Sequence, residues 1–244
     1  MNFVSCTQCP LRKLTHFSKH SPEELAFIAS LKSGQVEHDA GTIIIEPGGH
    51  ANQLYTLLSG WALRYRLTTC GERQIVEVLL PGSIIGLQSV LLGLQNEGVS
   101  SLTRVSLCVL GGAAVGELFA HQPRLARGLV NSLLQDQNRA DRQMTLNAKT
   151  SSASRLGHFL LEIFDRAGAL GGQSQRWCHF PLQRGDLSDL LGISPTHVSR
   201  SAGELSKLGL ATIRGNTLEI IDRQSLVRFS GYQIKHAEVK RLLL

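Results

Sequence analysis

The chain has 244 residues, enough for two domains, and 42% hydrophobic against 18% charged residues supports buried cores and excludes general disorder. A formal net charge of +6 suits an anionic partner, nucleic acid or a membrane surface, without choosing between them. No apolar run approaches the roughly 18 to 20 residues that span a bilayer, and MNFVSCTQCPLRKLTHF has no signal-peptide core; with five cysteines (Cys6, Cys9, Cys70, Cys108, Cys178), an odd count that suits no disulfide scaffold, the expectation is a cytoplasmic protein with reduced thiols and no membrane partner.

In chain order, the spacing first predicts a short amphipathic helix over Pro22 to Leu31, with Ser21 as its N-cap. From Gly41 to about Leu110 the texture is β. TIIIE, QLYTLL, WALRYRL, RQIVEVLL, SIIGL and RVSLCVL are separated by turns at Gly48, Gly60, Gly71, Gly82 and Gly98, which suggests about eight short strands in a barrel, roll or sandwich. Alternation from Trp61 to Leu67 places apolar side chains on one face and Arg64 and Arg66 on the other.

Helical spacing then takes over. Leu125, Leu129 and Leu133 recur at helical steps, with Pro123 near the start, and Leu134 is separated from Met144 and Leu146 by the run QDQNRADRQ, polar except for Ala140. Such a helix either lies on its own domain or pairs with its copy in a second subunit, and its polar middle favours pairing. Ser151-Ser152 caps a further helix over Arg155 to Ala167, and the glycine-rich GALGGQSQ is a loop.

Leu182 to Gly192 reads as a helix stopped by glycine, and Ser194 begins another with Pro195 in its first turn. Val198, Ala202, Leu205 and Leu208 form the inward stripe of the second helix and leave Thr196, His197, Ser199 and Arg200 facing outward. Helix, short glycine turn, helix is the helix-turn-helix arrangement. A guanidinium such as that of Arg200 can donate two bonds to guanine O6 and N7, while the hydroxyls reach bases or phosphates. Strands Ala211–Ile213 and Leu218–Ile221, joined through Arg214-Gly215-Asn216, form a wing suited to the phosphate backbone. The same fold can serve protein contacts, but these side chains favour DNA.

The order of β-roll, long helix and winged helix-turn-helix, together with RGDLSDLLGISPTHVSR, LYTLLSGWALRYR and LLPGSIIGLQSVL, resembles the Crp/Fnr family of bacterial transcription regulators from Cys6 to about Asp222. The resemblance implies an α+β fold: a cyclic-nucleotide-binding-like β-roll over 1–120, a dimerisation helix over 121–150 and a winged helix-turn-helix over 151–244. It implies a homodimer on a palindromic operator in double-stranded DNA, with RNA polymerase as a further partner. Ser194, Thr196, His197, Ser199, Arg200 and Arg214 become the DNA-contacting set, with Arg200 as main base reader. The family usually has glutamate where this chain has Thr196, so a different half-site is expected.

Cyclic-nucleotide members of the family hold ribose with a glutamate and phosphate with an arginine-serine pair. Here those stretches are Gly86-Leu87-Gln88-Ser89 and Gly98-Val99-Ser100-Ser101, without either charge, so cyclic AMP is not the expected ligand. The oxygen-sensing Fnr branch binds an iron–sulfur cluster through four cysteines. This chain resembles it at Cys6, Cys9 and Cys108 and has Thr15 at the remaining position, so a cluster would be a three-iron one or be completed by His16, His20 or a small molecule. An iron–sulfur cluster on those three thiols therefore stands beside a thiol switch, a haem, or no cofactor in a regulator controlled by its own abundance. An enzyme using Cys178 and His179 is not expected, because adjacent residues in an extended chain point to opposite sides.

Overall fold

The computed structural model describes residues 4–49, 52–171, 174, 176–233 and 240–244. The chain divides into two compact units, Met1–Asp136 together with Val239–Leu244, and Gln137–Glu238.

In the first unit, Ser21 caps helix α1 (Pro22–Leu31) in a reciprocal box. Its Oγ accepts from the Glu24 amide at 3.2 Å, and the Glu24 carboxylate accepts from the Ser21 amide at 2.9 Å. Eight strands follow: β1 (Lys32–His38), β2 (Ile43–Ile45), β3 (Gln53–Ser59), β4 (Ala62–Leu67), β5 (Arg73–Leu79), β6 (Ile84–Ile85), β7 (Gly98–Ser101) and β8 (Val105–Gly111). They form two antiparallel sheets of four, ordered β1-β8-β3-β6 and β2-β7-β4-β5.

The pleat decides which side chains meet. Leu57 faces Leu107 across β3 and β8, and Leu54 faces Leu110. Each pair is three residues from the other, so the two pairs lie on opposite faces. Leu57 and Leu107 join Ile45, Ala62, Leu79 and Val99 between the sheets. Leu54 and Leu110 pack outward against Ile28, Leu118, Leu125 and Leu129. The last three of these belong to helix α3 (Ala114–His121) and the long helix α4 (Pro123–Lys149); helix α2 (Leu87–Leu92) follows β6.

Two expectations need correction here. β1 lies before Gly41, and its sequence, KSGQVEH, conceals it because Val36 is its only large apolar residue. The alternation in β4 also fails at its end. Tyr65 is buried, but Leu67 is exposed, since it ends β4 beside the Thr68–Glu72 turn.

The second unit is built on helix α5 (Ser152–Ala169), capped by Ser151, whose Oγ accepts from the Ser154 amide. Around it lie β9 (Trp177–His179), α6 (Arg184–Leu191), α7 (Pro195–Lys207), β10 (Ala211–Arg214), β11 (Thr217–Ile220) and α8 (Arg223–Ser230). Gly157 lets α8 approach closely, because a Cβ there would stand 3.0 Å from Leu226 Cδ1. Arg223 and Tyr232 clamp α8 to α5 through Asp165. Part of the expected loop, at 172, 173 and 175, lies outside the described residues. No helix among the described residues is long and apolar enough to cross a membrane.

Candidate nucleic-acid interface

The helical corner is set by local chemistry. The Gln183 amide donates to Asp186 Oδ2 at 2.8 Å and starts α6. Gly192, at φ 61°, ends that helix in the left-handed conformation that a β-carbon disfavours. Ser188 Oγ donates to the Ile193 carbonyl at 2.5 Å and fixes the turn. Ser194 then caps α7, accepting from the His197 amide at 3.3 Å, and Pro195 occupies the first helical position. Of these, Gly192, Ser194 and Pro195 stand where the sequence places them, while the first helix begins at Arg184 rather than Leu182.

Packing decides which face of α7 is left. Val198, Ser201 and Leu205 are buried, and Thr196, His197 and Arg200 are exposed. Ser199 is half-buried and bonds back to the Pro195 carbonyl at 3.1 Å. Leu208 does not belong to the inward stripe, being 54% exposed. It follows the last turn as the C-cap, where Gly209 turns the chain toward the wing, so helical spacing no longer governs its direction.

The wing is the hairpin β10–β11, with Arg214 opposite Thr217 and the turn at Gly215 and Asn216. β9 adds a third strand that the sequence reading did not include. Arg214 and Arg184 are exposed, and both line a cleft of about 830 Å³ between the start of α6, the back of α7 and the wing. No carboxylate stands in the first two turns of α7, Glu204 being the first along it. Neither Arg200 nor Arg214 forms an ion pair among the described residues. Arg184, Ser199 and Arg214 share this cleft, while Thr196, His197 and Arg200 are exposed in the first turns of α7, near the positive end of its dipole; cations and hydroxyls so placed suit a phosphate backbone and base edges.

Two residues missed from sequence stand out. Arg184 opens the RGDLSDLLG stretch and is a second cation beside Arg214 in the cleft. Arg155, on α5, donates to the Leu191 carbonyl at 3.2 Å and thereby holds the end of α6. Its signal is tertiary, 36 residues from its partner, and no local pattern carries it.

Cys178 and His179 do separate as expected of a strand. Cys178 is fully buried and His179 is exposed. Burial pushes the Cys178 thiol up to about 11, so it is protonated at neutral pH and a poor nucleophile.

In the first unit a cavity of about 360 Å³ is lined by Arg64, Glu77, Gln88, Glu97, Val99 and Asp136, among others. Arg64 pairs with Glu77 and, at 3.4 Å, with Glu97; Asp136 pairs with Arg241 at 2.7 Å. Three carboxylates thus face two guanidiniums that already have partners, an unfavourable setting for a phosphate. Cys6, Cys9 and Cys108 are all buried in this unit, the first two around a tight N-terminal turn and the third on β8. Burial raises the Cys108 thiol, and Cys6 and Cys9 are near enough to raise it further, while Lys32 and Arg12 lower it. Thiolate is the right donor chemistry for iron, but no three cysteine, histidine or acidic groups among the described residues are gathered as a metal site.

Comparison with known proteins agrees with this geometry. Residues 35–122 match the model of the cyclic nucleotide-binding domain and residues 154–229 that of the Crp-like helix-turn-helix domain. Among curated relatives, the nitrogen fixation regulation protein FixK of Bradyrhizobium diazoefficiens is 27% identical over 217 residues, covering 89% of this chain and 90% of its own. The fumarate and nitrate reduction regulatory protein of Escherichia coli is 23% identical, covering 94% and 91%. The anaerobic regulatory protein of Pasteurella multocida is 24% identical, covering 93% and 83%. In fold, the structure of FixK2 from Bradyrhizobium japonicum superposes with a TM-score of 0.73 at 22% identity, covering 82% of this chain and 98% of that one.

Proposed function

Because the chain belongs to the Crp/Fnr family of transcription regulators, we propose that it works in the cytoplasm as a homodimer on a palindromic operator, with Arg200 as base reader. The observation that carries this reading is the front of α7. Arg200 stands there exposed beside Thr196 and His197, with no carboxylate before it on the helix and, among the described residues, no ion pair. Ser194 and Ser199 serve the same surface, and Arg214 and Arg184 take the phosphates on either side. Val130, Leu133, Leu134 and Met144 support pairing along α4, since these apolar side chains are exposed on a helix whose Leu125 and Leu129 are buried. RNA polymerase is the further partner the family implies.

The signal enters at the first unit. A cavity rich in paired carboxylates supports a ligand other than a cyclic nucleotide. The names of the relatives, which speak of anaerobic regulation and of fumarate and nitrate reduction, support a redox input for this chain as well. Three buried thiols in this unit, with Cys6 and Cys9 near enough to Cys108 to affect its ionisation, supply donor chemistry for such an input, through an iron–sulfur cluster or a thiol switch.

The test is selection from random duplexes followed by titration at several salt concentrations. A palindrome with half-sites about one helical turn apart is expected. Arg200→Ala should lose about 1–3 kcal/mol per half-site and relax the preference at one base pair. Arg214→Ala should weaken all duplexes alike and flatten the salt dependence. Unchanged affinity of Arg200→Ala for every sequence would overturn the assignment.

A further inference from the structure

The segment Lys240–Leu244 follows the second unit in the chain but packs in the first. Leu242, Leu243 and Leu244 are 2%, 1% and 3% exposed, and Leu242 and Leu244 lie in one cluster with Cys6, Leu125 and Leu129. Gly128 makes room for them, since a Cβ there would meet Leu242 at 3.3 Å.

The backbone is held as firmly as the side chains. The Arg241 amide donates to the His16 carbonyl at 3.1 Å, and the Arg241 carbonyl accepts from the Ser18 amide at 2.9 Å, a parallel bridge to the N-terminal segment. The Leu242 amide donates to Ser132 Oγ at 3.2 Å. Arg12, in the turn that Cys9 opens, donates to the Leu243 carbonyl at 3.3 Å. The Arg241 guanidinium lies against Asp136 with two bonds, at 2.7 and 3.3 Å. Five residues cannot make a core of their own, so their order comes from this groove. Its walls are α1, α4 and the segment that carries Cys6 and Cys9.

We infer that Lys240–Leu244 is a clasp that closes over the cysteine-bearing N-terminal segment, so that uncovering Cys6 and releasing this segment are one event. Leu242 and Leu244 are buried in one cluster with Cys6, so on this proposal a reagent reaches the sulfur once they are displaced. The clasp also ties the chain that follows the second unit back into the first, so lifting it frees the polypeptide beyond the DNA-binding unit. This last consequence rests on the regulator reading above; the covering of Cys6 does not.

The experiment uses the full-length reduced protein. Alkylation of each cysteine by iodoacetamide is followed by mass spectrometry, and amide exchange at Ser18 and Leu242 by NMR. Leu242→Asp combined with Leu244→Asp should alkylate Cys6 at least tenfold faster than the wild type and lose protection at Ser18. Arg241→Ala, a gentler change, should move both readouts the same way by a few fold. Cys178, buried in the other unit, and the amides of β3 and β8 report whether each unit remains folded. An unchanged Cys6 rate with Ser18 deprotected overturns the clasp, as does Ser18 protection that survives both variants. In operator titrations, alkylation should change the affinity of the wild type and leave that of the double variant within twofold. Equal responses overturn the coupling. Absence of operator binding in both proteins overturns the regulator reading while the thiol and exchange results stand.

Discussion

Asp165 is the residue on which the attachment of α8 depends, and removing it should loosen the DNA-binding unit measurably. Its carboxylate accepts two bonds from Arg223, at 2.8 and 3.0 Å, and one from the Tyr232 hydroxyl at 2.8 Å. The Arg223 and Asp165 side chains are each about a third exposed, so solvent screening reduces that pair to about 1 kcal/mol. The Tyr232 bond is less exposed and charge-assisted, and contributes about 1–2 kcal/mol. Asp165→Ala should therefore cost about 2–3 kcal/mol, a fall of roughly 10–15 °C in Tm for a unit of about 100 residues. Tyr232→Phe alone should cost about 1 kcal/mol, and the double variant should cost less than the sum, because both changes remove one shared bond. Urea unfolding followed by circular dichroism measures the first quantity, and amide exchange in α8 locates it. A loss under about 0.5 kcal/mol for Asp165→Ala, or strict additivity with Tyr232→Phe, would refute the clamp.

Burial and the neighbouring Arg12 guanidinium hold His20 near 4 against an ordinary 6.5, so the folded unit keeps it neutral while the unfolded chain protonates it. The stability it contributes is complete above pH 6.5 and is lost as pH falls from 6.5 toward 4, by about 2 kcal/mol after halving for partial exposure; urea midpoints should drop over that window and drop less in His20→Gln, and parallel slopes would count against the assignment. Leu134→Glu puts a charge on the exposed apolar face of α4 and should yield monomers in sedimentation, with operator affinity falling alongside; a persistent dimer would place the subunit contact elsewhere. Gly82→Ala combines a φ of 90° with a Cβ 2.3 Å from the Phe17 ring and should cost about 3 kcal/mol in urea unfolding, less in a Phe17→Ala background where the ring is gone.

Most of the helix-turn-helix was legible because its determinants are local, Leu208 and the Arg155 contact apart. A serine cap, a proline at the first position, a left-handed glycine and a stripe of Val198 and Leu205 act within a few residues of one another. The same holds for Ser21 and α1. Strands were legible where apolar residues cluster, as in β3 and β8, and hidden where pairing alone makes the strand. β1 is such a case, since it is held by hydrogen bonds to β8 and carries one large apolar side chain.

Sequence by itself settled the family pattern and the outward face of α7, since periodicity and capping chemistry depend only on near neighbours. Tertiary structure alone decided that Arg155 holds the end of α6, that Arg64 spends its charge on Glu77 and Glu97, and that Leu242 and Leu244 return to the cluster containing Cys6. Each of those contacts joins residues at least 13 apart in the chain, and the Leu243–Arg12 bond spans 231. Nothing in a run of amino acids records where a distant partner will lie until the core has folded around both.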